Sequence, residues 1–446
     1  RPSRAAAARQ RPLGRAQRPA SAAMNHFEVR EGELWCEDVA LSRIAREVGT
    51  PVYVYSSATL ERHYQVLHDA IAGRAELGEP LIAFAVKANS NVSVLKTLGR
   101  LGAGADTVSE GEIRRALAAG IPADRIVFSG VGKTARELAF ALDVGVAEIN
   151  LESEPEMALV SEIARQKGLR ATVAIRINPN VGAGGHAKIT TGKAEDKFGV
   201  SISEAERLYA QAANNAGLKP VGVACHIGSQ ITDLAPMEAA FKLMRGVVER
   251  LRGEGLSVER LDVGGGLGVP YFHQPDPPSP EDYAAMLSRT VGGLGVQLAF
   301  EPGRMIVANA GVLVSEVVHV NARPDGRRFL VLDAAMNDLI RPAMYDAYHD
   351  IRPVRTREGE AVVYDVVGPV CETGDTFTRD RALPPLRGGD LVAFMTAGAY
   401  GAVMASEYNT RPLVPEVLVR GGDYAVIRPR PTYDEMLARE PLAPWL

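Results

Sequence analysis

The chain has 446 residues and a formal net charge of −4. That length exceeds what one hydrophobic core usually organises, so two domains are expected. No apolar run is long enough to span a bilayer, and the body of the chain holds no large basic block, which argues against nucleic acid as a partner.

Residues 1–23 stand apart. They hold six arginines, no acid, and many alanines and prolines; without them the rest of the chain carries −10. An Arg- and Ala-rich, acid-poor leader fits an organelle transit peptide or, the reading preferred here, a remnant or extension ahead of a start at Met24. The leader is expected to be disordered. Three widely spaced cysteines, Cys36, Cys225 and Cys371, form neither a disulfide framework nor a zinc site and suit a reducing cytoplasm.

In chain order, residues 25–50 read as a short strand or hairpin followed by a helix. From Leu81 a regular alternation begins, in which short apolar runs end in polar or glycine residues and amphipathic stretches lie between them. The runs are Leu81–Val86, Ala103–Val108, Ile126–Ser129, Glu148–Leu151, Ala171–Ile177, Val221–His226, Leu261–Val263 and Leu298–Glu301. Between the sixth and seventh, Met237, Phe241, Met244, Val248 and Leu251 share one helical face. Eight strand-then-helix units predict a (β/α)8 barrel, with a doubly wound open sheet as the competing topology. The segment Tyr271–Pro280 is proline-rich and is expected to be an exposed excursion. After Ala310 strand-like runs follow one another with few helices: Phe329–Leu332, Ala361–Val367, Leu391–Met395, Glu416–Val419 and Tyr424–Ile427. The last two flank Arg420-Gly421-Gly422-Asp423, a hairpin signal. This half predicts a β domain, joined by a strand near Leu34.

Barrel chemistry sits where strands end. The first run ends in Lys87, the sixth in His226, the seventh in Asp262 to Gly266, the eighth in Glu301 to Arg304. Each has a bland reading alone: a lysine reaching solvent, a satisfied core histidine, a tight turn, an ion-pair partner. Burial is expected to lower the lysine pKa toward the nucleophilic range. Together the residues fit one task. A lysine forms an imine with an aldehyde; glycines with bare N–H groups, and Ser229, hold a phosphate. A glutamate keeps a ring nitrogen protonated, and a histidine packs on the ring. That is equipment for pyridoxal 5'-phosphate.

The segments GTPVYVYS, FAVKANSN, GADTVSEGE, HAKITTGKAEDKFGV, HIGSQI, LDVGGGLGV, EPGR, IRPAMYDAYH, GPVCETGD and GAYGAVMASEYNTRP occur in this order. In them the chain, from about Met24 to its C-terminus, resembles the alanine-racemase-type (group IV) pyridoxal-phosphate decarboxylases, and among these the bacterial diaminopimelate decarboxylases. The resemblance implies a cofactor-binding barrel over 51–308 and a C-terminal β-sandwich or β-barrel domain over 309–446 carrying substrate and dimer contacts. Residues 24–50 would pack on the β domain. It implies that Lys87 carries the cofactor as a Schiff base, that His226 stacks on the ring, that Glu301 faces the pyridine nitrogen, and that Ser229, Gly264, Gly265, Gly266, Gly303 and Arg304 contact the phosphate region. Asp106 would lie near the cofactor and lysine, and Tyr400 would touch cofactor and substrate.

The substrate so implied is meso-2,6-diaminopimelate, decarboxylated at its D centre to L-lysine and carbon dioxide, the last step of bacterial lysine biosynthesis in the cytoplasm. A distal carboxylate calls for arginine, and Arg304, Arg341 and Tyr345 stand in the matching segments; Glu372 would take the distal ammonium. Cys371 would return a proton to the product. In such enzymes the Cys371–Glu372 segment comes from the second subunit, so the expected assembly is a homodimer with shared sites. The alternatives weighed are an ornithine- or arginine-type decarboxylase, a racemase on the same cofactor, disfavoured by Glu301, and a non-catalytic pyridoxal-phosphate-binding regulator.

Overall fold

The computed structural model describes residues 25–182, 192, 196–271 and 276–446; the leader 1–23 lies outside them. The described chain opens with three short antiparallel strands, β1 (Phe27–Arg30), β2 (Glu33–Cys36) and β3 (Val39–Ala40). Glu31 and Gly32, both at positive φ, make the two-residue turn between β1 and β2, a geometry that matches the right-handed twist of the paired strands.

Strand β4 (Val52–Ser56) follows. Its numbers fall inside the segment expected to be barrel, 51–308, but its pairing places it elsewhere, between two strands of the C-terminal half. The barrel begins after it, with the helix Ser57–Ala72, whose first turn is capped by the Ser56 hydroxyl.

Eight parallel strands close the barrel: β5 (Leu81–Ala85), β6 (Gly104–Thr107), β7 (Ile126–Phe128), β8 (Glu148–Leu151), β9 (Ala171–Arg176), β10 (Leu218–Ala224), β11 (Arg260–Asp262) and β12 (Gln297–Phe300), with β12 pairing back to β5. Strands covered on both faces need no alternation, and β5 through β8 are buried at every residue. Helices return outside. Ser109, Ser153, Ser201 and Ser279 each cap one by accepting an N–H of its first turn, which fixes where each βα loop ends. In the helix Ala235–Gly253, Met237, Phe241, Met244, Val248 and Leu251 all face inward.

The second domain is a mixed sheet of β13 (Gly311–Ala322), β14 (Arg328–Leu332), β15 (Ile351–Pro353), β16 (Val362–Val367), β17 (Thr376–Leu383), β18 (Leu391–Phe394), β19 (Glu416–Arg420) and β20 (Asp423–Arg428), together with β4. Strand β13 pairs with β4, β14 and β18. The alternation of β4 divides its work between two cores. Tyr53 and Tyr55 join the large cluster shared with the barrel, while Val52 and Val54 join Leu34, Leu41, Ile44, Val312, Val314, Val417 and Val419. Both buried hydroxyls are satisfied: Tyr53 donates to the Asp338 carbonyl and Tyr55 to Glu416, each at 2.6 Å. Residues 25–50 lie against the β domain, with the Leu34 N–H donating to the Val354 carbonyl at 2.7 Å and the Thr356 N–H to the Gly32 carbonyl at 2.7 Å.

Candidate active site

The C-terminal ends of β5, β6, β11 and β12 converge. Lys87, in the turn that ends β5, points its Nζ at Asp106 of β6, 2.6 Å from Oδ2. The sequence reading expected burial to lower the lysine pKa. The structure corrects this: burial does oppose the charge, but the Asp106 carboxylate, with Glu301 and Tyr400 behind it, outweighs burial and raises the pKa. Asp106 is fully buried, and its second oxygen, Oδ1, has no hydrogen-bond partner among the described residues.

Glu301 closes β12 inside the barrel mouth. Burial, reinforced by the neighbouring carboxylates Asp106 and Asp262, holds its pKa well above the usual carboxylate range. A polar chain reaches it from the barrel interior: Asn150 Nδ2 donates to Ser129 Oγ at 3.0 Å, and Ser129 Oγ to Glu301 Oε1 at 3.5 Å. Sequence reasoning missed both residues, because a lone Ser or Asn at a strand end carries no distinctive pattern.

The glycine triplet is a steric requirement. A Cβ on Gly265 would lie 2.1 Å from the Glu301 carbonyl oxygen, and one on Gly266 2.3 Å from the Gly228 carbonyl oxygen; Gly264 and Gly266 also hold positive φ. The expectation that all three N–H groups are bare is corrected. Gly264 donates to Asp262 Oδ1 at 2.7 Å and Gly265 to His226 Nδ1 at 3.1 Å, leaving Gly266. The Gly265 bond also fixes the imidazole: Nδ1 accepts, so the neutral ring carries its proton on Nε2. Burial, then Lys87 and Arg176, push the His226 pKa well below its ordinary value and keep the ring neutral.

Beside the triplet, Arg304 begins the short helix Arg304–Val307. It donates to Ser229 Oγ at 3.2 Å and to Tyr271 Oη at 3.0 Å, and its guanidinium lies 4.9 Å from the Tyr400 ring centroid. A Cβ on Gly303 would meet Ala88 and Ala85 at 3.0–3.1 Å and Tyr400 Oη at 3.5 Å, so the Lys87 turn, the 301–304 turn and Tyr400 are packed together. The Tyr400 N–H donates to the Ala88 carbonyl at 2.9 Å. Arg341 completes this side, its guanidinium 5.4 Å from the Tyr271 ring centroid. Arg304 and Arg341 are 8% and 7% exposed, and no described carboxylate pairs with either. Tyr345 lies close enough to Arg304 to add to its charge environment. Two buried, unneutralised guanidiniums side by side are an anion site in waiting.

Tyr271 corrects the sequence reading at the other end of the proline-rich segment. It is buried rather than part of an exposed excursion; residues 272–275 of that segment lie outside the described residues. Arg176, ion-paired to Glu152 at 2.8 Å, was missed as well; Glu152 also accepts from the Gly130 and Gly199 N–H groups and so ties the ends of β7, β8 and β9.

Cys371 and Glu372 are exposed, and their described partners belong to the β domain: the Cys371 N–H donates to Asn409 Oδ1 at 3.3 Å, and Glu372 faces Tyr408. No described contact joins either to Lys87, Glu301 or Arg341 within one chain.

The pyridoxal-binding domain of the pyridoxal-dependent decarboxylases matches residues 58–308. Over 94% of the chain, a diaminopimelate decarboxylase of Zymomonas mobilis is 48% identical, with 99% of the relative covered. That of Pseudomonas aeruginosa is 49% identical over 94% of the chain and 100% of the relative. The structure of diaminopimelate decarboxylase from M. jannaschii in complex with L-lysine superposes with a TM-score of 0.90 at 35% identity, covering 95% of this chain and 99% of that one.

Proposed function

From the premise that the chain belongs to the diaminopimelate decarboxylases among the pyridoxal-dependent decarboxylases, we propose that it removes carbon dioxide from the D centre of meso-diaminopimelate to give L-lysine, working as a homodimer in the cytoplasm. The observation that carries the substrate reading is the pair Arg304 and Arg341, buried beside the lysine well without a carboxylate of the protein to neutralise them. An ornithine- or arginine-type substrate has no distal carboxylate and would leave both charges uncompensated, a cost of several kcal/mol in principle.

The residues fit pyridoxal phosphate. A lysine amine stands at the mouth of the barrel, a buried carboxyl with a raised pKa lies near it, a carboxylate oxygen on Asp106 has no partner among the described residues, and the triplet's backbone can be approached closely because side chains are excluded from it. When bound, pyridoxal phosphate supplies an aldehyde for amines and a ring that takes up the electron pair left by a departing carboxylate.

Lys87 is the amine that would hold that aldehyde until a substrate amine takes its place. Asp106 orients the lysine and takes the positive charge of either amine. Glu301, a buried carboxyl with a raised pKa, would face the ring nitrogen and share its proton, so that the chain rather than solvent would set the protonation of that nitrogen. His226, locked neutral by Gly265, offers a flat apolar face in place of a cation. Ser229, Gly266 and the Gly303–Arg304 turn would hold the phosphate. Arg304, Arg341 and Tyr345 would receive the distal carboxylate, and Tyr400 would touch both cofactor and substrate. Glu372 and Cys371 are exposed on the β domain, which supports their acting on a second copy's site, Glu372 on the distal ammonium and Cys371 as the proton donor to the product carbon. Three free cysteines support a reducing compartment.

The test is carbon dioxide release from meso-diaminopimelate with and without added pyridoxal phosphate, against ornithine, arginine and lysine. Cofactor-dependent release confined to meso-diaminopimelate is expected; faster turnover of ornithine or arginine would overturn the substrate.

A further inference from the structure

Two guanidiniums packed on one tyrosine repel each other, yet a planar carboxylate clamp works only if both planes are fixed. Among the described residues no acid does this for Arg341. What touches it instead is His349: Arg341 NH1 and His349 Nε2 are 2.9 Å apart, and His349 Nδ1 lies 3.0 Å from the Met395 carbonyl oxygen.

The chemistry of the two partners assigns the tautomer. A carbonyl accepts and never donates, so Nδ1 must carry the proton. A guanidinium donates and never accepts, so Nε2 must offer its lone pair. A charged imidazolium would set donor against donor at 2.9 Å. Burial, and after it the charges of Arg341 and Arg304, hold the ring neutral, its pKa depressed to about 3. The backbone of His349 is held as well: its carbonyl accepts from both terminal nitrogens of Arg381 at 3.3 Å. Tyr271 meets the ring edge-on, with centroids 6.2 Å apart and planes at 89°. Tyr271 serves the other arginine in the same way, its oxygen accepting from Arg304 NH1 at 3.0 Å.

We propose that His349 is a positioning residue for substrate recognition: its Nε2 lone pair fixes the Arg341 guanidinium so that the remaining N–H groups of Arg341 face the substrate's distal carboxylate, while Tyr271 fixes Arg304. This rests on the reading that the arginine pair receives that carboxylate. A neutral acceptor is the right brace for this purpose. It orients the arginine without cancelling its charge, whereas an Asp or Glu in its place would compete with the substrate as a built-in carboxylate.

The test uses the holoenzyme with two variants that separate the nitrogens. In His349→Gln the side-chain oxygen can reach the Nε2 position and accept from Arg341. In His349→Asn the amide can replace Nδ1 toward Met395 but falls short of Arg341, which keeps Tyr271 but loses its brace at position 349. For each, KM and kcat on meso-diaminopimelate are measured, with inhibition by L-lysine, which keeps the distal carboxylate, and by cadaverine, which lacks it. In His349→Asn, KM and the L-lysine inhibition constant rise together by about tenfold, kcat changes less than KM, and cadaverine binds as before; His349→Gln recovers most of the loss. Tyr271→Phe, which keeps the ring and removes the acceptor, shows the same carboxylate-selective pattern.

Equal loss for L-lysine and cadaverine would mean a general structural role, and equal behaviour of the Gln and Asn variants would mean that the Nε2 acceptor is irrelevant; either overturns the proposal. Failure of the underlying substrate reading appears separately, in the unmutated enzyme, as no preference for L-lysine over cadaverine.

Discussion

Asp106→Asn has a consequence opposite to that of most active-site substitutions. In the protein, burial pulls the Lys87 pKa down while Asp106, 2.6 Å away, pulls it up and prevails. Removing the carboxylate's charge leaves burial with weaker opposition from Glu301 and Tyr400, so the pKa falls. A charge-assisted hydrogen bond of this kind is worth about 1.5–3 kcal/mol, which corresponds to roughly one to two pKa units. Well below the lysine pKa, the neutral fraction rises about tenfold per unit, so near pH 8 the variant apoenzyme should hold roughly ten to a hundred times more free amine. The assay is the initial rate at which an amine-specific trapping reagent consumes Lys87 in cofactor-free protein, followed across pH, with Lys87→Ala as the blank. The rate should rise in the variant at neutral pH and level off at a lower pH than in the parent. An unchanged rate and profile in a variant with an intact circular-dichroism spectrum would refute the idea that Asp106 sets the charge of the lysine. Turnover is nevertheless expected to fall, since Asp106 also orients the amine.

Gly265→Ala forces a Cβ to 2.1 Å from the Glu301 carbonyl oxygen; backbone must move, overpacking of this kind costs about 1–3 kcal/mol, and weaker cofactor retention on dialysis with a lower Tm is expected. Arg341→Ala should raise KM for meso-diaminopimelate far more than it lowers kcat, and an unaltered KM would remove Arg341 from the substrate site. Glu148, buried 2.9 Å from Arg260, has its pKa pushed up to about 7 by burial. Because the folded value exceeds the unfolded one, its contribution to stability is present below about pH 4.5 and is lost as pH rises through about 7; in Glu148→Gln the fall in Tm over that window should be smaller than in the parent. Lys87→Ala and Cys371→Ala chains should each be nearly inactive alone, yet equal mixing after subunit exchange should restore roughly a quarter of the activity if sites are shared across a two-fold interface; no recovery would put Cys371 to work within its own chain.

The barrel was legible because each of its units is local. A run such as Leu81–Ala85 declares a strand, an amphipathic stretch follows, and the chemistry stands at the ends, at Lys87, His226, Gly264–Gly266 and Glu301. The β domain was less legible because its signals are relational. Strand β17 reads TFTRDRAL and is half exposed at the sheet edge, where charge suits an edge but hides a strand. The apolar pattern of β4 is plain, but nothing in it says that its neighbours are β13 and β19. Tyr271 was masked by the prolines that follow it; His349 stands only eight residues from the arginine it touches, but no strand or helix periodicity joins the two. Cys371 and Glu372 are exposed on the β domain with no described contact to Lys87, Glu301 or Arg341, so neither periodicity nor the single-chain geometry assigns them a role.

The placement of β4 bears on how this chain is made. Tyr55 pairs with Gly311, about 250 residues downstream. At ordinary ribosomal speed β4 waits on the order of tens of seconds for that partner, with both hydrogen-bonding edges unpaired while the whole barrel is synthesised beside it. The β domain is thus assembled from segments far apart in the chain, and a fragment starting at residue 309 would carry a sheet missing a middle strand. Expressed alone, such a fragment should aggregate unless residues 25–56 are supplied with it.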